Sequence, residues 1–151
     1  MLAKRRPGDP RTDAHRLVWH DELVWIGAPG LRLDPHRPVP LIVYPPPGIT
    51  RALALRALER EGRPWRIVCT SGSLNGLLAA ARAGLGVMVH SRGLIPPGLA
   101  RMPERAGLPE PGEVDFVVAH GRRRPSAQGA ADALAAAILA GGDRLHRGGR
   151  G

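Results

Sequence analysis

At 151 residues with 43% apolar side chains, the chain is long enough for one ordinary domain with its own core, and no apolar run approaches the ~18 residues needed to cross a bilayer. The formal charge of +9 raises nucleic acid as a partner, but Lys4 is the lone lysine among 22 basic residues and the arginines are scattered, apart from Arg122–Arg124 and the two termini. That pattern reads as a solvated surface rather than a phosphate-binding stripe. The single cysteine, Cys69, excludes an intramolecular disulfide and a thiolate metal cluster, and it reads as a buried, inert thiol.

Residues 1–16 are polar, basic and rich in Pro and Gly, and without periodicity they read as a partly ordered lead-in. Lys4-Arg5-Arg6 runs into Pro7 rather than an apolar stretch, so it is no secretory signal, and the expected location is the cytoplasm. Leu23–Ile26 is a short β-rich run closed by Gly27-Ala28-Pro29-Gly30. After a Pro-spaced connection, Leu41–Tyr44 is wholly apolar, as a strand buried on both faces would be, and Pro45-Pro46-Pro47-Gly48 stops it. Thr50–Glu61 turns helical, with Leu53, Ala57 and Leu58 on one side and Gly62 placed as a C-terminal cap.

The cycle repeats with a strand over Trp65–Thr70 and the turn Ser71-Gly72-Ser73, in which Ser73 is the expected cap of a helix over Leu74–Ala83. Gly86–His90 reads as another buried strand. Residues 91–112 form a long Pro/Gly connection with one helical turn near Leu94. Val114–Ala119 reads as a strand, Ser126–Ala140 as an Ala-rich helix capped by Ser126, and residues 141–151 as a disordered tail. Strands alternating with helices imply βαβ units and a mostly parallel sheet, whose ligands bind beyond the carboxyl ends of the strands. Those ends are Tyr44–Ile49, Thr70–Ser73 and His90–Gly93.

Little in the sequence suggests catalysis. Ser71-Gly72-Ser73-Leu74-Asn75-Gly76 lacks the first glycine of a nucleophile elbow, and the six histidines never fall at i,i+4 on a helix. No strand end carries a carboxylate pair, and Gly84-Leu85-Gly86 opens a strand rather than a helix, the reverse of a dinucleotide fingerprint. What remains is binding chemistry. Pro47-Gly48-Ile49-Thr50 sets free backbone N–H groups at one helix start, and Thr70, Ser71 and Ser73 add hydroxyls and N–H groups at the next. Two such starts side by side suit a small anion, although both can equally be ordinary capped helices.

The segments Leu23–Pro29, Pro40–Pro45, Leu58-x-x-x-Gly62-Arg63-Pro64-Trp65-Arg66-Ile67-Val68, Thr70-Ser71-x-Ser73-Leu74 and Ala80–Val87, with Pro96–Leu99 and Gly107–Pro109 after them, occur in the order of a known family. Together they resemble the effector-binding domain of LysR-type transcriptional regulators, over roughly Leu17 to Leu139. The resemblance implies an α/β fold of the type 2 periplasmic-binding-protein kind, with one complete three-layer lobe over 30–112. Residues 17–29 and 113–140 would supply two crossover strands and part of the other lobe, giving an effector-binding domain over 17–140. Leu23–Gly27 and Val114–Ala119 would be the crossovers, and Pro47, Gly48, Ile49, Thr70 and Ser71 match second-lobe positions facing the ligand cleft.

The function implied is co-inducer sensing, with a small anionic metabolite as partner. Neither cofactor nor metal is implied, there is no membrane partner, and the full-length family forms homo-oligomers. Leu2–Arg5 looks like the end of the first lobe's last strand. The resemblance therefore implies that the helix-turn-helix and most of that lobe are missing from this chain, and that the fragment alone binds no operator specifically. The alternatives are a periplasmic-type solute-binding module and a basic nucleic-acid-binding protein, the latter distinguished by steeply salt-dependent binding.

Overall fold

The computed structural model describes residues 2–7 and 15–119; the expected Ser126–Ala140 helix and the 141–151 tail lie outside them. The chain divides into two compact units, Met1–Glu22 with Glu113–Gly151, and Leu23–Gly112.

In the larger unit, β2 (His15–Gly27) contributes its C-terminal part, which pairs antiparallel with β5 (Met88–Ser91) and β6 (Ala100–Arg101). A second pairing is parallel, between β3 (Val39–Val43) and β4 (Trp65–Thr70), with Leu41 also bridging Val87 in parallel. Parallel pairing thus runs through the βαβ segment, and the antiparallel pairings in this unit all belong to β2. The all-apolar run of β3 is buried on both faces as its sequence predicts, with Val39, Leu41, Ile42 and Val43 each at most 5% exposed. β4 departs from expectation. None of its six residues is fully buried, Ile67 faces solvent, and Cys69 is half-buried rather than enclosed. The register between β3 and β4 shifts at Leu41/Ile42, leaving Val68 as an extra residue on β4.

Two helices follow the parallel strands, α1 (Ile49–Arg60) and α2 (Leu74–Arg82). α1 buries Thr50, Ala54, Ala57 and Leu58, an i, i+4, i+7, i+8 stripe in which Ala keeps the helix close to its neighbours. Each helix ends on a left-handed glycine. Gly62 N–H donates to Glu59 O and Arg63 N–H to Leu58 O; Gly84 N–H donates to Ala81 O and Leu85 N–H to Ala80 O. Both are the paired closing bonds of a Schellman turn, so two orphan carbonyls at each end are satisfied. The 3-10 turn Arg92–Leu94 lies where one is expected, while β6 and a second 3-10 turn, Glu104–Ala106, are additions that the Pro/Gly-rich sequence gives no local signal for.

In the smaller unit β1 (Leu2–Arg5) pairs antiparallel with β7 (Gly112–Ala119). These residues form a strand, whereas composition alone reads them as a lead-in. Four residues are too few to display a period, and the pairing that fixes them is more than a hundred positions away in sequence. Trp19 stacks on Phe116, the chain's lone phenylalanine, with ring centroids 4.2 Å apart, and Lys4 Nζ sits 5.6 Å from the Phe116 centroid. Burial pushes the Lys4 amine below its ordinary pKa.

His20 on β2 meets two carboxylates of β7, with Nδ1 2.6 Å from Asp115 Oδ1 and Nε2 3.5 Å from Glu113 Oε2. The hydrogen bond to Asp115, the largest influence, raises the imidazole pKa above the ordinary 6.5. A raised folded-state pKa means that the stabilisation is complete below the unfolded value and is lost as pH rises through the folded one. An NMR titration of the His20 ring should therefore give a midpoint above 6.5 that falls back toward it in Asp115→Asn. An unshifted midpoint would show that the contact does not hold the charged ring.

Candidate functional site

The loops after β3 and β4 leave the same end of the parallel pair. Val43 stands opposite Thr70, and Ser71 N–H donates to Val43 O at 3.3 Å, which ties the second loop to the end of the first strand. Of the six residues singled out from the sequence, Thr70 ends β4 and the other five lie on these two loops or at the helix starts they feed. Pro47 is exposed, just after the cis Pro46–Pro47 bond. Gly48 is the half-buried N-cap of α1, and Ile49 is its first residue. Thr70 is the exposed last residue of β4, Ser71 is half-buried, and Ser73 is the exposed N-cap of α2.

Glycine suits position 48 because a side chain there would press on the Tyr44 Cβ at 3.1 Å and the Pro45 carbonyl at 3.4 Å. The chain thus folds back tightly from strand to helix. The first helical bond runs from Ala52 N–H to Gly48 O, so the N–H groups of Ile49, Thr50 and Arg51 have no acceptor within the helix, and no side chain caps them. The first bond of α2 runs from Leu77 N–H to Ser73 O, which leaves Leu74, Asn75 and Gly76 in the same position.

One expectation needs correcting. Ser73 holds the N-cap backbone conformation, but its hydroxyl makes no capping bond. Ser71 closes the turn instead: its Oγ accepts from Ser73 N–H at 3.1 Å and donates to Ser73 O at 3.2 Å. The competing local turn, a serine hydroxyl bonding two residues ahead, has displaced the cap. Gly76 follows from the same contact, since a Cβ there would collide with Ser71 Oγ.

Tyr44, Thr50 and Arg51 line a small cavity beside the start of α1, together with Trp25, Leu77 and Met88; the sequence points to Tyr44 as a strand end and to Thr50 for its backbone N–H, but not to Arg51. As it stands the cavity has room for about one water molecule. Thr50 is buried against it, and burial raises the pKa of the Tyr44 phenol. Arg51 reaches back to donate from Nη1 to Tyr44 O at 3.1 Å, and Trp25 is fixed by its Nε1–H bond to Pro109 O at 2.6 Å. Arg51 directly follows Thr50 in the helix start that the sequence identifies, so it was within reach of the same reasoning.

Residues 1–141 match the family described as the LysR substrate binding domain. The HTH-type transcriptional regulator DgdR of Burkholderia cepacia is 35% identical over 110 residues, which are 73% of this chain and 37% of that protein. The chain therefore spans about a third of this relative's length. Among solved structures, the bromide ion-bound regulatory domain of HypT from Salmonella typhimurium superposes with a TM-score of 0.63 at 15% identity, covering 90% of this chain and 71% of that one. An ABC transporter/periplasmic binding protein from Brucella ovis with glutathione bound gives 0.51 at 10% identity, over 72% and 38% of the two chains. At these identities the structures establish the fold alone, which is that of type 2 periplasmic binding proteins.

The Ser71 correction has a direct consequence. Ser71→Ala should lower unfolding free energy by about 1 kcal/mol, as loss of a helix-start hydroxyl does, whereas Ser73→Ala should cost well under half of that. Urea unfolding of the two variants makes the comparison, and a larger loss for Ser73→Ala would restore it as the cap.

Proposed function

The chain belongs to the LysR substrate-binding domain family, and from that premise we propose that it is the effector-sensing portion of a LysR-type transcriptional regulator, holding a small anionic metabolite at the starts of α1 and α2. The observation that carries this reading is electrostatic. No aspartate or glutamate occurs from Pro35 to Leu58 or from Gly62 to Pro103, so both loops and both first helical turns lack a carboxylate. Arg51 moreover sits in the first turn of α1, at the positive end of the helix, where a cation is disfavoured by about 0.3–1 kcal/mol. An anion at this point would offset that repulsion and accept from the N–H groups that have no acceptor within the helix.

On this reading the Gly48 and Ile49 segment offers backbone donors, Pro47 shapes the approach, and Thr70 and Ser73 offer hydroxyls from the adjacent loop. Ser71, whose hydroxyl is engaged with Ser73, holds that loop in place. Thr50 and Arg51 are added to the set as the side chains lining the cavity. HypT's regulatory domain, which shares the fold, is described with a bromide ion bound, and this supports an anion as the class of ligand. Binding without turnover is the better reading because neither loop carries a histidine or carboxylate to act as a general base.

Thermal denaturation of the chain against a panel of small carboxylates, sulfate and phosphate tests the proposal, since a ligand that binds only the folded state raises Tm. At least one anion should raise it, and Arg51→Gln should weaken that binding by about tenfold while leaving the unliganded Tm nearly unchanged. No response to any anion, or an equal response in the variant, would sink the reading.

A further inference from the structure

A second concavity lies in the larger unit, away from the two helix starts. It is a groove of about 400 Å³ lined by Leu31, Arg32, Leu33, Pro103, Arg105 and Ala106. Both of its walls are anchored. Leu31 N–H donates to Ala28 O at 3.0 Å, and the Leu31 side chain packs over Gly27, where an added Cβ would lie 3.1 Å from it. On the other side Met102 N–H donates to Trp25 O at 2.8 Å, and the 3-10 turn Glu104–Ala106 is closed by bonds from Ala106 N–H to Pro103 O and from Gly107 N–H to Glu104 O. The groove is therefore formed by two short loops pinned to the same strand, β2.

Its chemistry is divided. Leu31, Leu33 and Ala106 are half-buried and give an apolar floor, while Arg32 and Arg105 are exposed. Four other arginines of this unit are engaged: Arg51, Arg60 and Arg82 donate to backbone carbonyls of Tyr44, Glu110 and Pro97, and Arg37 pairs with Asp34. Arg32 and Arg105 make no hydrogen bond or ion pair among the described residues. Glu104, between Pro103 and Arg105, does not line the groove. Two unengaged guanidinium groups beside an apolar floor complement one kind of molecule, an anion with an apolar body, and the volume is that of a typical small-molecule site.

We propose that this groove binds a small amphipathic carboxylate, its alkyl or aryl body against Leu31, Leu33 and Ala106 and its carboxylate held by Arg32 and Arg105. The site is independent of the one at the helix starts, and the two differ in ligand character: a compact anion there, an apolar-bodied anion here.

The test is an amide NMR titration of the 151-residue chain with sodium octanoate, and with 1-octanol as its uncharged counterpart. Octanoate should shift the amides of Leu31–Leu33 and Arg105–Gly107 along one saturating curve, and 1-octanol should bind at least about tenfold more weakly. The double variant Arg32→Ala/Arg105→Ala should weaken octanoate by a similar factor. The charge-matched Arg56→Ala/Arg66→Ala, which removes two exposed arginines elsewhere, should leave the affinity unchanged. Equal affinity for octanoate and octanol, shifts confined to Gly48–Arg51 and Ser71–Leu74, or undiminished binding in Arg32→Ala/Arg105→Ala would each overturn the proposal. The octanoate–octanol comparison needs no variant, so it stands even if the double variant is poorly folded.

Discussion

The larger unit depends on the close approach of Gly86 to Pro40. Any side chain at position 86 would run into the Pro40 carbonyl, and with glycine there Val87 N–H reaches Pro40 O while Ile42 N–H reaches Val87 O, both at 2.9 Å. β3 is thereby hydrogen-bonded on both edges, to β4 on one side and to Val87 on the other. A strand held on both edges and covered on both faces has no solvated side, which is why its sequence is apolar without alternation. Pro40 fits because it only has to accept a bond there, and its missing N–H is no loss.

From that fixed strand the site follows by short steps. β3 ends at Val43, Gly48 lets the chain turn back at once into α1, and Ser71 N–H pins the neighbouring loop to Val43. Two helix starts therefore arise at one end of one strand pair, with their first-turn N–H groups lacking acceptors within the helices. An α/β fold places its ligand beyond the carboxyl ends of its strands for this reason: the geometry that makes the crossover also leaves donors there. The chain adds to this an absence of carboxylates around both starts and an arginine in the first turn of α1, so the local field is positive from side chains as well as backbone. The groove of Arg32 and Arg105 draws on a different device, two loops pinned to β2.

Much of this was legible in the sequence, for identifiable reasons. The helices were visible because periodicity and a terminal glycine coincide, at Gly62 and at Gly84, and β3 because a both-faces-buried strand has a compositional signature. Features fixed by partners distant in sequence were not. β1 and β6 are short strands whose existence depends on what lies beside them, and a run such as Leu2–Arg5 shows no pattern of its own. The half-buried state of Cys69 reflects the exposure of β4, which an apolar run does not report. At the site, the sequence located both loops but misassigned the hydroxyl that orders the second: Ser71 and Ser73 are chemically alike, and only the turn geometry decides which one bonds backwards and which is bonded. Arg51 is not singled out by the sequence because a helix start is recognised by its backbone donors, whatever side chains flank them.

The central claim is that the two helix starts act as one anion-binding locus. The most direct measurement is a two-dimensional amide NMR titration of the chain with bromide, following Gly48–Arg51 and Ser71–Leu74 residue by residue. The account predicts that both sets of amides shift together and saturate with a single dissociation constant, as they must if one ion meets both starts. Shifts at only one helix start, two separate saturation curves, or a linear drift spread over the whole chain would contradict it.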